Sequence, residues 1–379
     1  MSKKLIEFLS KPIVVFYALG WLMVLVIVGT IAQRYIGLYQ SQMKYFSSFI
    51  WWLGPVPVPG GYPTLTVIFL GLTTKLVFKS KWRRENLGTI VTHIGALSLL
   101  FGGFLTAAFS YEGGMVLPEG ETSGYISDYN DVELAIIDRS AADHDHVTAF
   151  EKGWLHEGKV LRAPALPFEI QIMEYCRNCQ ILKRKAPVIT GDPHHGFAAN
   201  FQILPAPLEN ENERNQAGVV FYFKGPDVAT NGVYSVFENM PVEQTIEVKG
   251  VKYSLALRRA QTHLPFKIHL LKFTKGTHPG TDIASLYKSE VMVLDGGVEQ
   301  RVTIQMNEPL RYKGYTLYQA SFVEASAGGT ETSVLAVVHN MGRVFPYISS
   351  LIMCIGLLLH LILQIPKLIR GKAAARATR

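Results

Sequence analysis

The sequence predicts a membrane protein with four transmembrane α-helices and a large extracytoplasmic all-β, sandwich-like domain inserted between helices three and four. Two observations support this fold class. Four long stretches contain no Asp, Glu, Lys or Arg, and each supplies roughly 20 residues of helix, enough to cross a hydrocarbon core of about 30 Å. The long segment between the last two stretches instead alternates apolar and polar residues, which is typical of β-strands.

The predicted segments follow one another along the chain. They are a cytoplasmic N-terminus with the first helix (1–33), an outer interfacial loop (34–62), the second helix (63–79), a basic cytoplasmic loop (80–86), the third helix (87–110), the β-rich domain (111–343), the fourth helix (344–366) and a basic cytoplasmic tail (367–379). The first apolar stretch ends without a small-x-small cleavage site, so we expect an uncleaved helix. Trp51-Trp52 and the prolines that follow are typical of an interfacial segment.

Positive charge is concentrated at the ends of the predicted helices. Segments 3–11, 75–85 and 367–379 hold thirteen Lys and Arg residues but only Glu7 and Glu85 as acidic residues. The positive-inside rule places these segments and both termini in the cytoplasm. We therefore expect a multi-pass protein of the bacterial inner membrane with a periplasmic or other extracytoplasmic domain. The net charge of +7 then reflects membrane topology, and membrane lipid rather than nucleic acid is the expected partner of the basic residues.

The segment 111–343 is predicted to form a sandwich or open barrel of short strands. Leu166-Pro167-Phe168 and Leu264-Pro265-Phe266 each precede an alternating run, which suggests two related β-units. Leu-Pro-Phe is also a common way to begin a strand, so the match does not require a duplication. Residues 193–215, rich in Pro, Asn, His and Glu, are predicted to be a surface loop.

His93 is the first candidate site residue, because it lies inside the uncharged stretch 87–111. An imidazole in hydrocarbon is costly unless a metal or a hydrogen bond satisfies it, so an intramembrane histidine is a candidate functional residue. Axial ligation of haem iron is the sharper interpretation. A hydrogen bond to a Ser, Thr or carbonyl group of a neighbouring helix is the simpler one.

His360 and His339 are further candidates for cofactor binding. His93 and His360 each lie six residues from the predicted cytoplasmic end of their helix, which places both imidazoles about 9 Å deep. They could face each other if helices three and four touch. His339 lies near the outer end of helix four, where it could contact a cofactor that leaves the membrane or simply pack at the end of a strand.

Cys176 and Cys179 form a CxxC motif in the β-rich segment. Gln180 follows, so the motif is not a CxxCH haem-attachment site, and no βαβ pattern precedes it, as a thioredoxin-like site would require. A structural disulfide on the oxidising side of the membrane is the simpler interpretation. A redox-active pair that exchanges with a client thiol is the alternative.

The loop histidines are weaker candidates for metal binding. Asp143-His144-Asp145-His146 and His194-His195 could hold a metal, but most loop histidines are only solvated. The other histidines of the segment 111–338 are His156, His263, His269 and His278. The sequence contains no nucleophile elbow, phosphate-binding loop or zinc-hydrolase spacing, which argues against hydrolysis and phosphoryl transfer.

A series of short motifs runs through the chain in a distinctive order. They are Gly29-Thr30-Ile31-Ala32-Gln33, His93-Ile94-Gly95 with Gly102-Gly103, Gly120-Glu121, Leu264-Pro265-Phe266 with Gly280, Tyr287 and Ser289, and Met306-Asn307-Glu308-Pro309-Leu310 with Tyr312, Gly314 and Tyr318-Gln319. In this order, and with this arrangement of helices, they resemble the ResB family, the CcsB-type subunit of the system II cytochrome c synthase. The resemblance covers nearly the whole chain.

The resemblance implies a subunit that binds haem b transiently and non-covalently and helps deliver it to apocytochrome c, together with a CcsA- or ResC-type partner. It implies that His93 is an axial ligand of the haem iron and that a histidine of the partner is the other. It implies nothing comparable for His360. A thioredoxin-like thiol reductase is a further expected partner. Because the chain lacks the tryptophan-rich signature of the partner, we expect a non-catalytic subunit of a haem lyase complex.

Two other functions are compatible with the sequence. One is a membrane thiol-disulfide oxidoreductase that uses Cys176 and Cys179, whose activity would be lost on Cys→Ser substitution but not on substitution of His93. The other is an assembly scaffold without a cofactor, in which the histidines only pack.

Overall fold

The computed structural model describes residues 2–141, 144–184, 192–277, 280, 284–324 and 330–377. The chain divides into two compact units. The first unit is formed by Met1–Tyr111 and His339–Arg379, and the second by Glu112–Val338. The second unit therefore occupies the part of the sequence between the third and fourth apolar helices.

The first unit contains four helices that are long and apolar enough to cross a membrane. They are α1 (Pro12–Ile36), α2 (Gly61–Thr74), α3 (Leu87–Phe109) and α4 (Phe345–Ala377). A π-helical turn, Lys75–Lys79, extends α2. Only 11% of the apolar window of α1 and of α4 is buried within the protein, as expected of surfaces that face lipid. Four apolar helices and a large β-rich unit confirm the coarse fold class predicted from the sequence.

The segment between α1 and α2 folds back onto α1. It contains two short helical pieces, Leu38–Ser41 and Gln42–Phe46, and a hairpin of β1 (Ile50–Leu53) and β2 (Val56–Pro59). The Trp51 ring is buried and lies edge-on to Tyr45, with centroids 4.9 Å apart. The indole N–H of Trp21 on α1 donates to the carbonyl of Pro59 over 3.0 Å. The two neighbouring tryptophans differ in environment, since Trp52 is exposed.

Three glycines of α3 lie at its contact with α4. Gly88, Gly95 and Gly102 recur at every seventh residue and are buried. A methyl group at Gly88 would overlap the backbone of His360, and one at Gly102 would overlap Phe345. The two helices are therefore antiparallel and in close backbone contact. Small residues at a heptad spacing are a common way for membrane helices to approach closely.

The second unit is built from β-strands. They are β3 (Tyr111–Pro118), β4 (Thr122–Asp138), β5 (His146–Glu151), β6 (Val160–Leu161), β7 (Glu169–Cys176), β8 (Cys179–Lys183), β9 (Phe201–Pro205), β10 (Gly218–Lys224), β11 (Gly232–Phe237), β12 (Gln244–Val248), β13 (Val251–Thr277), β14 (Ala284–Asp295), β15 (Val298–Gln305), β16 (Leu310–Tyr312), β17 (Tyr315–Val323) and β18 (Thr332–His339). Most of the alternating runs in the sequence lie in these strands.

Two sheets share one apolar core. The smaller sheet has the order β11-β10-β7-β6, and the ten-stranded sheet has the order β15-β14-β13-β4-β3-β18-β17-β16, with β12 paired to β13 and β5 to β4. Ile172 and Phe221 from the smaller sheet pack with Leu134 and Leu255 from the larger one. This face-to-face packing buries one side of the smaller sheet against β4, β12 and β13 of the larger sheet, as in a β-sandwich.

The long strands β4 and β13 run antiparallel through most of the larger sheet. Their ladder shifts register between Arg259 and Gln261 and again between His263 and Ile268. Pro265 lies in the second interruption, where a residue without an N–H costs no ladder hydrogen bond. By contrast, Leu166-Pro167-Phe168 precedes β7, so the two Leu-Pro-Phe segments occupy different structural positions.

The predicted surface loop at 193–215 is partly wrong. Phe201–Pro205 forms β9, which pairs with β8 from Cys179↔Pro205 to Lys183↔Phe201. The mostly apolar segment from Phe201 to Leu204 was too short to be recognised as a strand from the sequence. Pairing with β8 supplies the backbone hydrogen bonds of β9, and the local sequence does not indicate that pairing.

Candidate functional site

The His93 ring is held by its own helix. Its Nδ1 atom lies 2.7 Å from the carbonyl oxygen of Thr89. Because a carbonyl can only accept a hydrogen bond, Nδ1 must carry the proton. The lone pair of the neutral ring is then on Nε2, which has no hydrogen-bond partner among the described residues. This tautomer is the one commonly found in metal-binding histidines, whose second nitrogen donates to a carbonyl or carboxylate.

Thr89 also connects α3 to His360 on α4. Thr89 Oγ1 and His360 Nδ1 are 3.2 Å apart, within hydrogen-bonding distance. The two histidines therefore contact one residue through different atoms, the carbonyl for His93 and the hydroxyl for His360. No hydrogen bond joins the two imidazoles to each other. The expected proximity at one depth of the helix pair is present, and Thr89 was not identified from the sequence, although it lies one helical turn before His93.

The orientation of His93 bears on what it could bind. In a regular helix, successive residues are rotated by about 100°, so His93 is about 160° from Gly95 on the α4-facing side. The ring is half-exposed, and His93 lies away from the side of α3 that carries the glycine contact. This arrangement fits one axial imidazole ligand of a haem whose other ligand comes from elsewhere. In the described part of the chain, no cluster of three or more His, Cys, Asp or Glu side chains offers a different metal site.

His339 lies at the end of β18, in the first unit. Its ring stacks on Tyr111, with centroids 4.9 Å apart and an interplanar angle of 19°. Nearby, Thr106 Oγ1 donates to Asn340 Oδ1 over 3.0 Å. These contacts fasten the chain where it leaves α3 and where it approaches α4. They support a packing role for His339.

Cys176 and Cys179 form a disulfide between the end of β7 and the start of β8. Both cysteines are buried, and they pack with Ile203 and Phe237. A methyl group at Gly218 would press against Cys179 Sγ, so β10 covers the bridge closely. A client thiolate has to reach a sulfur atom to exchange with it. Burial under three strands therefore favours the structural interpretation of the motif.

Replacing both cysteines with alanine is expected to lower the free energy of unfolding by about 2 kcal/mol, the chain-entropy value for such a short loop. Thermal unfolding of the detergent-purified chain measures this change. Because the sulfurs are buried, we expect the double variant to keep any cytochrome c maturation activity at temperatures where it is folded. Loss of that activity in a folded variant would instead support the redox alternative.

The other histidines of the second unit mostly have structural contacts. His195 Nε2 donates to the Asn231 carbonyl over 3.0 Å and its ring stacks on Tyr234, while His194 Nδ1 lies 3.1 Å from the Asp192 carbonyl. The predicted His194-His195 metal pair is thus divided between two partners. His269 Nδ1 lies 3.0 Å from Thr122 Oγ1, and His263 lies edge-on to Tyr125. Asp143 and His278 lie outside the described residues.

His144 and His146 differ from these residues. Their Nε2 atoms are only 3.0 Å apart, so the pair suggested by the Asp-His-Asp-His motif is present as a pair of converging imidazoles. His156 has a single weak contact, 3.4 Å from Nδ1 to the Glu157 carbonyl.

Four membrane-length apolar helices, an intrahelical histidine with an available Nε2 and a large β-rich unit describe a membrane protein with a candidate metal-ligand residue. Comparison with known proteins shows which membrane proteins this chain is similar to. Residues 227–329 match the model of the ResB-like family, which confirms the predicted resemblance over that segment. The chain is also 23% identical over 278 residues to the protein NrfI of Wolinella succinogenes, an alignment that covers 71% of this chain. The chain spans 27% of the length of that curated relative.

Proposed function

We propose that this chain is a membrane subunit of cytochrome c biogenesis that holds haem b through His93 and helps deliver it to apocytochrome c. The ResB-like match over residues 227–329 and the likeness to NrfI support the biogenesis role. The observation that carries the haem assignment is the hydrogen bond from His93 Nδ1 to the Thr89 carbonyl, which leaves Nε2 as the ligating nitrogen.

The contacts of His93 suit a ligand residue. The Thr89 carbonyl fixes the orientation of the ring and its tautomer, as outer-shell partners of metal ligands do. His360 contacts the Thr89 hydroxyl, a different group from the carbonyl that orients His93. When bound, haem would supply an iron for the Nε2 lone pair of His93 to ligate. A histidine of a CcsA- or ResC-type partner would be the other protein ligand, so we expect the site to be complete only in the complex.

The second unit is proposed to lie on the extracytoplasmic face of the bacterial inner membrane, with both chain termini in the cytoplasm. The basic residues that flank the apolar stretches support this orientation through the positive-inside rule. The Cys176–Cys179 disulfide supports it independently, because such bonds persist in oxidising compartments. There the β-rich unit would hold the partner subunit and receive apocytochrome c. Its own cysteines are paired, so a separate thioredoxin-like reductase would keep the client thiols reduced.

The visible spectrum of the chain purified with its CcsA-type partner tests the haem assignment. We expect a Soret band in the wild-type complex and its loss, or at least a decrease of about tenfold in haem occupancy, in His93→Ala. Thr89→Val is the matched control for ligation, because it removes the hydroxyl that contacts His360 and keeps the carbonyl that orients His93. It should retain the band.

The outcomes separate the alternatives. A Soret band of wild-type intensity in His93→Ala, in a complex that assembles normally, would show that His93 does not hold the haem. Loss of the band in His360→Ala from the chain purified alone would indicate an internal bis-histidine site. A complex that assembles, matures cytochrome c and carries no haem in any preparation would support the scaffold function.

A further inference from the structure

His144 and His146 lie in the second unit, separate from the proposed haem ligand. His146 is the first residue of β5, where it pairs with Asp138 at the end of β4. Their Nε2 atoms are 3.0 Å apart, and both residues are exposed. Neither imidazole is needed for the core, which consists of the inward-facing apolar residues of the two sheets.

The two rings converge at their Nε2 ends. Their centroids are 4.5 Å apart and their planes are inclined at 78°, so the separation is wider at the centroids than at the nitrogens. Two nitrogens placed at about 2.0 Å from one ion and 3.0 Å from each other subtend an angle of about 97° at the ion. Rings pointing at such an ion would have centroids about 4.7 Å apart, which is close to the observed value.

An angle near 90° between neighbouring ligands is found in square-planar and in octahedral coordination. Tetrahedral ligands at the same distance would hold the nitrogens about 3.3 Å apart. Square-planar sites with nitrogen and oxygen ligands are typical of copper(II) and nickel(II), and copper(II) binds most tightly among the divalent first-row ions. The positions that remain in the plane would be filled by water.

The charge around the pair suits a cation. Asp138 is the ladder partner of His146, and Asp145 lies between the two histidines in sequence. Arg139 is paired with two carboxylates, Glu243 at 3.0 Å and Asp145 at 3.7 Å, and Lys252 lines the same cavity as Arg139 and Glu243. The three carboxylates Asp138, Asp145 and Glu243 outnumber these two cations, which favours a divalent ion.

We propose that His144 and His146 form a binding site for a divalent transition-metal ion, of which copper(II) would bind most tightly. Both Nε2 atoms donate their lone pairs to the ion. In the metal-free pair one Nε2 carries a proton that it shares with the other. On binding, the proton that leaves this nitrogen is matched by one taken up at Nδ1 of the same ring, so both imidazoles stay neutral. This site is independent of the haem proposal.

Titration of the untagged, detergent-purified full chain with copper(II) chloride tests the proposal, after removal of metals with a chelator. Calorimetry should show a site that binds one ion per chain in the wild type. His144→Ala and His146→Ala should each weaken it by about tenfold or more, since each removes one of two protein ligands. His156→Ala is the matched control, because His156 is exposed on the same unit and lies outside the pair.

Electron paramagnetic resonance provides a readout that a folding defect would not imitate. Spin-echo modulation from coordinated imidazole should report two rings in the wild type and in His156→Ala, and one ring in each single variant. Equal copper affinity in all four proteins would overturn the proposal. A copper signal without imidazole modulation, or tighter binding of zinc(II) than of copper(II), would overturn it as well. Circular dichroism confirms that each variant is folded.

Discussion

Gly88→Ala is expected to force α3 and α4 apart and to lower the free energy of unfolding of the first unit by about 3 kcal/mol, the upper part of the range for overpacking. The added methyl group would overlap the backbone nitrogen and Cα of His360. A backbone cannot rotate away as a side chain can, so the helices have to separate along their length. Thermal unfolding in detergent, followed by the helical signal in circular dichroism, measures the loss.

Gly103→Ala is the matched control on the same helix. Its added methyl group would meet nothing within 4 Å, and alanine favours a helix over glycine by up to about 1 kcal/mol. We therefore expect an unchanged or slightly higher melting temperature for Gly103→Ala. Equal melting temperatures for the two variants would contradict the close contact between α3 and α4.

Arg259→Met is expected to destabilise the second unit by about 3 to 5 kcal/mol, because it leaves a buried carboxylate without its cation. The Arg259 Nε atom forms an ion pair with Glu238, whose side chain is only 6% exposed. Arg259 Nη1 also donates to the Tyr129 carbonyl over 2.8 Å. Chemical denaturation of the full chain, followed by the fluorescence of the tyrosine and tryptophan side chains, measures the change.

Two further variants test whether the burial of Glu238 causes this loss of stability. Arg259→Met combined with Glu238→Gln should recover a large part of the stability, because the remaining side chain no longer carries a buried charge. The ion pair between Arg162 and Glu169 is well exposed, with side chains 68% and 39% accessible. Glu169→Ala should therefore have an effect too small to resolve, since exposed pairs are screened by solvent. A comparable loss in both places would contradict the role of burial.

Burial also affects an ionisable side chain close to this pair. Desolvation raises the pKa of Tyr175 to about 12, with nearby Arg177 opposing the shift. The phenol is therefore neutral at neutral pH, and Tyr175 adds no anion to the environment of Glu238.

The long-range pattern of hydrophobicity was enough to predict the apolar helices and most strands. An uncharged stretch of membrane length can form few structures other than a transmembrane helix, and a strand with one buried face must alternate apolar and polar residues. The proximity of His93 and His360, which both contact Thr89, followed from counting residues along regular helices. The contact between α3 and α4 also has a signal in the sequence, since Gly88, Gly95 and Gly102 recur at a heptad spacing.

Other features depend on contacts that no local pattern records. The hydroxyl of Thr89 meets His360 only because two helices distant in sequence pack together. Strand β9 exists because β8 offers it an edge. The second Leu-Pro-Phe segment lies inside β13 at a register shift, whereas the same three residues precede β7. Identical short motifs therefore took different structures, as expected where the tertiary partners rather than the local sequence decide.

The pairing of β4 with β13 also governs when the second unit can fold. Thr122 and His269 are 147 residues apart, and Glu133 and Arg258 are 125 residues apart. Such contacts require closure of large loops and make folding slow. During synthesis, β4 leaves the ribosome long before its partner exists and must avoid pairing with other chains. Asp128, Asp131 and Glu133 interrupt the apolar residues of β4. In the nascent chain, these carboxylates oppose aggregation until β13 has been synthesised.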